Sequence, residues 1–62
     1  MKNNIRVERA IRRISQQELA DAIGVTRQTI YAIEYDRFIP STELALKMSA
    51  YFGKTVNELF SL

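Results

Sequence analysis

The chain has no cysteine, no histidine and no tryptophan among its 62 residues. Without cysteine there are no disulfides and no thiolate nucleophile. Without cysteine or histidine, zinc sites built from those ligands are excluded, as is acid–base catalysis by imidazole. Glycine occurs twice and proline once, which argues against a disordered or linker-like chain. Long hydrophobic runs are also missing. No stretch approaches the roughly 20 apolar residues of a membrane-spanning helix. Met1-Lys2-Asn3-Asn4 leads into a charge-rich segment, unlike a signal peptide. The expectation is a soluble, cytoplasmic protein that makes no membrane contact.

What is present is apolar and charged, at 47% and 26% of residues, enough for an efficient unstapled core. Residues 1–62 are read as a single domain, because a chain of this length holds one core. The net charge of +2 conceals an uneven distribution. Lys2, Arg6, Arg9, Arg12 and Arg13 stand against Glu8 alone in the first 13 residues. The remainder carries four bases and six acids. An anionic partner explains this imbalance, and so does a basic helix facing solvent; charge by itself does not separate them.

Helix signals dominate, and hardly any strand pattern is visible. Gly24, Pro40 and Gly53 divide the chain into short pieces. Ser15-Gln16-Gln17-Glu18 and Thr55-Val56-Asn57-Glu58 are capping boxes, and Thr26 and Ser41 are single N-cap candidates. These signals predict helices over about 3–12, 16–22, 27–35, 42–52 and 56–60. The expected fold is all-α, a compact five-helix bundle. Leu19, Ala20 and Ile23 share a face of the second helix, Ile30 and Ile33 one of the third. Leu44, Ala45, Met48 and Phe52 form a stripe on the fourth. The first helix has two possible inner faces. One is Val7, Ala10, Ile11 and Ile14; the other holds Ile5 with Glu8 and Arg9.

Residues 16–34 read QQELADAIGVTRQTIYAIE. Ala20 is small where two crossing helices need close approach. Gly24 stands where a tight turn needs a positive φ. Leu19, Ile23, Val25, Ile30 and Ile33 supply apolar contacts between the two short helices. Together these features specify a helix-turn-helix in the second and third helices.

The chain resembles the lambda-repressor/Cro-like, or XRE, family of DNA-binding regulators. The matching blocks are Ile14 to Ala20, Gly24 to Ile30, Ile33-Glu34 and Pro40 to Lys47, in order and over nearly the whole chain. Arg13 and Asp36 stand where the family commonly has glycine; aspartate tolerates a left-handed backbone better than arginine, so the departures bear on the geometry of these two loops and not on the fold. The resemblance implies binding of double-stranded DNA and transcription regulation. The acids form no paired carboxylate site, Glu18 and Glu58 reading as caps, so no enzymatic activity is expected, and no cofactor, metal or small-molecule ligand. Repression is the expected action.

In a helix-turn-helix protein the second helix of the motif enters the major groove. At about 100° per residue, Ile30, Ile33 and Glu34 point inward, while Gln28, Tyr31, Ala32 and Tyr35 point outward with Arg27 at their edge. Candidate base contacts are therefore Arg27, Gln28, Tyr31 and Ala32. Gln28 has the donor–acceptor pair for adenine, and Arg27 the fork for guanine or a phosphate. Tyr31 and Tyr35 equally suit packing on a partner subunit or on the fourth helix. Candidate phosphate contacts are Gln16, Thr26, Thr29, Arg37 and Arg12, and Thr26 is also an N-cap. The resemblance further implies that Gln16 lies at the DNA backbone and supports Gln28. Glu34, on the inward face, needs a buried partner. Arg9 is the best candidate, and the resemblance implies the same ion pair.

One helix reads only a few base pairs, which is inadequate against the many competing sites of a genome. A homodimer on a palindromic operator, with half-sites about 34 Å apart, resolves this. Val56, Leu59, Phe60 and Leu62 are the candidate dimer interface; completing the monomer core is their other use. Two further functions share these features: the antitoxin of a toxin–antitoxin pair, and a protein-interaction module that no longer binds DNA.

Overall fold

Four of the five helices begin at a hydroxyl side chain that caps them. The computed structural model describes all 62 residues. It contains α1 (Ile5–Ile11), α2 (Gln16–Ile23), α3 (Arg27–Glu34), α4 (Thr42–Phe52) and α5 (Val56–Leu59). Ser15, Thr26, Ser41 and Thr55 each accept a hydrogen bond from the backbone N–H three residues on. At α2 and α5 the box is complete, since Glu18 and Glu58 reach back to the cap N–H. These bonds satisfy donors that a helix N-terminus otherwise leaves free.

The two ends of the chain depart from the all-helical expectation. β1 (Lys2–Asn3) and β2 (Phe60–Ser61) pair antiparallel, with Lys2 opposite Ser61 and Asn3 opposite Phe60. Asn3 and Asn4, expected inside the first helix, therefore precede it, and Phe60 follows the last one. The cause is local. The Asn3 side-chain oxygen accepts from the Ile5 N–H at 3.1 Å, which starts α1 two residues later. The Asn4 N–H donates to the Leu59 carbonyl at 2.8 Å and its amide donates to Glu58 O at 3.1 Å. The chain is mostly helical, with this small sheet joining its termini.

The core draws on every helix. Ile5, Leu19, Ile30, Ile33, Met48 and Leu59 are fully buried, joined by Ala20, Ile23, Phe52 and Phe60. Ile5 resolves the choice of face on α1: Ile5, Glu8 and Arg9 turn inward, while Val7 and Ile11 stay 54% and 67% exposed. Two charged residues occupy the inner face because ion pairs satisfy them there: Glu8 with Arg12 at 2.7 Å, and Arg9 with Glu34 at 2.9 Å.

Between α2 and α3 the chain turns at Gly24 with φ +89°, a conformation costly for any side chain. The Gly24 and Val25 N–H groups both return to the Ala20 carbonyl. Arg13 and Asp36 adopt φ of 56° and 59° without being glycine. Both loops thus keep a left-handed residue, at the cost of strain. No helix is long and apolar enough to cross a membrane.

Candidate nucleic-acid interface

α3 has one apolar inner face and one polar outer face. Ile30 and Ile33 are buried, whereas Arg27, Gln28 and Tyr31 are exposed and Thr29 and Ala32 are half-exposed. Tyr35, the C-cap, is exposed beside Tyr31. The side chain of Gln28 makes no bond within the chain, so its amide is free to meet a base edge.

The inner end of α3 is held by charge. Glu34 has a side chain only 1% exposed, and its carboxylate accepts three hydrogen bonds. Arg9 donates to it through Nε at 2.9 Å and Nη2 at 3.2 Å, and Gln16 Nε2 donates at 3.1 Å. Arg9 Nη1 also donates to the Ile14 carbonyl at 3.0 Å, tying the α1–α2 loop to the same centre. A buried carboxylate is tolerated only with this degree of pairing. Because Glu34 is neutralised inside, it does not oppose an anion approaching from outside.

Gln16 opens α2 and connects this centre to the surface. Its amide nitrogen faces Glu34, and its oxygen accepts from Arg27 Nη1 at 3.4 Å. Within the chain, Gln16 therefore supports Arg27 rather than Gln28. Thr26 and Thr29 share a hydroxyl–hydroxyl bond of 3.1 Å at the start of α3. Arg37 is exposed in the loop after α3 and forms no ion pair.

Arg12 is differently placed. Its guanidinium donates to Glu8 at 2.7 Å and to the Phe52 carbonyl at 2.6 Å, and lies 4.8 Å from the centre of the Phe52 ring. It closes the C-terminal end of α4 against α1, which removes it from the set of free phosphate-facing cations. Asn3 was not singled out in the sequence, yet its amide nitrogen donates to the Ile33 carbonyl at 2.8 Å and to Asp36 at 3.0 Å. It thereby fixes the C-terminal end of α3. No sequence pattern marks it, because its partners are about thirty positions away.

A family model described as helix-turn-helix matches residues 5–59. The chain belongs to the lambda-repressor/Cro-like (XRE) helix-turn-helix family. Among its relatives, an uncharacterized HTH-type transcriptional regulator of Methanocaldococcus jannaschii is 42% identical over 60 residues, covering 97% of this chain and 91% of that protein. The HTH-type transcriptional regulator YgzD of Bacillus subtilis is 42% identical over 62 residues, covering 100% and 94%. A third, from Archaeoglobus fulgidus, is 38% identical over 60 residues, covering 97% and 86%. The family is defined by a DNA-binding motif and is not an enzyme class.

The C-terminal apolar residues of this helix-turn-helix protein divide into two groups. Leu59 and Phe60 are buried in the chain's own core, which withdraws them from the candidate dimer interface apart from an edge of Phe60. Val56 is half-buried and Leu62 fully exposed. Two shallow depressions share Met1, Val56 and Phe60; one extends to Ile39 and Leu46, the other to Leu62. They form one continuous apolar face spanning both termini.

Proposed function

We propose that this chain is a sequence-specific transcriptional repressor that binds operator DNA in the cytoplasm as a homodimer, with α3 in the major groove. The outer face of α3 carries the reading: Arg27, Gln28, Tyr31 and Ala32 point outward from a helix anchored behind by the buried Arg9–Glu34 pair. Such anchoring supports base recognition, because contacts misplaced by about 1 Å lose their geometry. Arg37 and the hydroxyls of Thr26 and Thr29 frame the face as phosphate contacts.

The molecule measures 25 × 22 × 19 Å. Successive major-groove faces lie about 34 Å apart, so one copy reads one half-site. Two copies joined through the apolar face of Met1, Ile39, Leu46, Val56 and Leu62 read a palindrome. Repression requires only that the bound dimer occupy a promoter. Relatives bearing the name transcriptional regulator support this role.

The test is binding to random and selected duplexes at several salt concentrations. Affinity should fall steeply with salt as counterions are released, and selection should return one palindromic motif. Gln28→Ala should cost about 1–3 kcal/mol and relax preference at one base pair, while Arg37→Ala should weaken all sequences about equally. Equal affinity for every duplex would overturn the proposal.

A further inference from the structure

The exposed aromatic pair on α3 is not explained by the fold. Tyr31 and Tyr35 stack with ring centroids 4.5 Å apart and planes inclined at 31°. They are 40% and 51% exposed, and neither hydroxyl has a hydrogen-bond partner within the chain. Every other large apolar side chain of α3 is buried. At about 100° per residue, Tyr35 projects within about 20° of Gln28, and Tyr31 lies between it and Arg27. The rings thus occupy the middle of the outer face, between Arg27 and Gln28, with no exposed aliphatic side chain and no unpaired acid on the helix itself; the exposed Asp36 that follows Tyr35 is bonded to Asn3.

A major groove displays donors and acceptors on every base pair and one apolar group, the C5-methyl of thymine. A pair of stacked rings is complementary to that group and to little else in the groove. Stacking also restrains both side chains before binding, which lowers the ordering cost of the contact. The flanking residues, a cation and an amide, suit a polyanion bearing polar base edges better than the apolar rim of a protein partner.

We propose that the Tyr31–Tyr35 stack reads a pyrimidine C5-methyl group, so that each operator half-site carries a methylated pyrimidine opposite the pair. This rests on α3 lying in the major groove. The methyl belongs to thymine or to 5-methylcytosine, which share this chemistry at the same groove position.

The experiment uses the preferred duplex from selection, with each thymine replaced in turn by deoxyuridine. This change deletes only the methyl. Affinity should fall about fourfold at one position per half-site, as expected for one buried methyl. If that position holds cytosine instead, 5-methylation should raise affinity by a similar factor, identifying the second source. Tyr31→Ala should weaken binding and abolish the difference between methylated and unmethylated bases, whereas Tyr31→Phe should retain it. Both tyrosines are exposed, and thermal unfolding of each variant verifies the fold. Equal binding of methylated and unmethylated duplexes, with sequence preference intact, would overturn this inference and leave the DNA-reading proposal standing. Loss of all sequence preference in the wild type would overturn that proposal instead. A Tyr31→Ala protein that keeps its methyl preference but changes its mass in ultracentrifugation would reassign the pair to subunit packing.

Discussion

Glu34 and Arg9 show what a single side chain can reveal. A carboxylate on the inward face of a helix needs a charged or hydrogen-bonding partner, which was legible in the sequence; that Arg9 is the partner rested also on the family resemblance. Glu34→Ala should lower stability by about 3 kcal/mol, since it leaves a mostly buried arginine without its partner. Urea unfolding measures this, and unchanged stability would refute the assignment. The bond of Arg12 to Glu8 follows helical spacing, whereas its tie to α4 was not legible, because that acceptor is the Phe52 carbonyl forty positions away. Arg13 and Asp36 were recognised as departures from glycine, and both hold positive φ. Arg13→Gly should therefore stabilise the fold by about 1 kcal/mol, by relieving left-handed strain. Asp36→Gly should gain less, as it also loses the bond from Asn3.

Helices were easier to place than strands for a physical reason. Caps and a 3.6-residue period span several positions, whereas two-residue strands have no period to detect. The sheet exists through pairing of distant ends, so nothing local in Lys2-Asn3 or Phe60-Ser61 announces it. The face of α1 was equally hidden, because its inner side is partly charged and its outer side partly apolar. α5 is a different case. Four residues are too few for a stable helix alone, and its capping box was visible in the sequence. Glu58 accepts from the Thr55 N–H at 2.8 Å, and Thr55 Oγ1 accepts from the Glu58 N–H at 3.1 Å. The Thr55 backbone bond first, and its side chain second, hold the Glu58 carboxyl below the ordinary value of 4.5. The folded state thus favours the carboxylate. Its contribution is complete above 4.5 and is lost as pH falls through the lowered folded value. Glu58→Gln should show a smaller loss of thermal midpoint than wild type on acidification from about pH 5 to pH 3. An identical loss in both proteins would show that the cap does not titrate with folding.

At the scale of the whole molecule, the proposed assembly can be tested through its surface. A body 25 Å long spans less than the distance between two half-sites, and the apolar face across both termini is the surface proposed to join two copies. Leu46→Glu, at an exposed position, should give a monomer in analytical ultracentrifugation and weaken binding to a full palindrome by roughly a hundredfold through lost avidity. Half-site affinity should be unaltered. A dimer persisting in this variant would exclude the face. Of the C-terminal apolar residues that the sequence offers for this face, Val56 and Leu62 lie on it, whereas Leu59 and most of Phe60 are taken by the core. Met1, Ile39 and Leu46 join the face only through folding, from three separate segments.

The pairing of β1 with β2 also sets when the molecule can finish folding. Asn3, which braces the end of α3, is itself held in a ladder opposite Phe60. At about 5–20 residues per second, a ribosome releases the first segment some seconds before its strand partner. Until the second strand is free to pair, the brace at the end of α3 lacks its strand support. The nascent chain is therefore expected to acquire its final form only after the second strand has emerged.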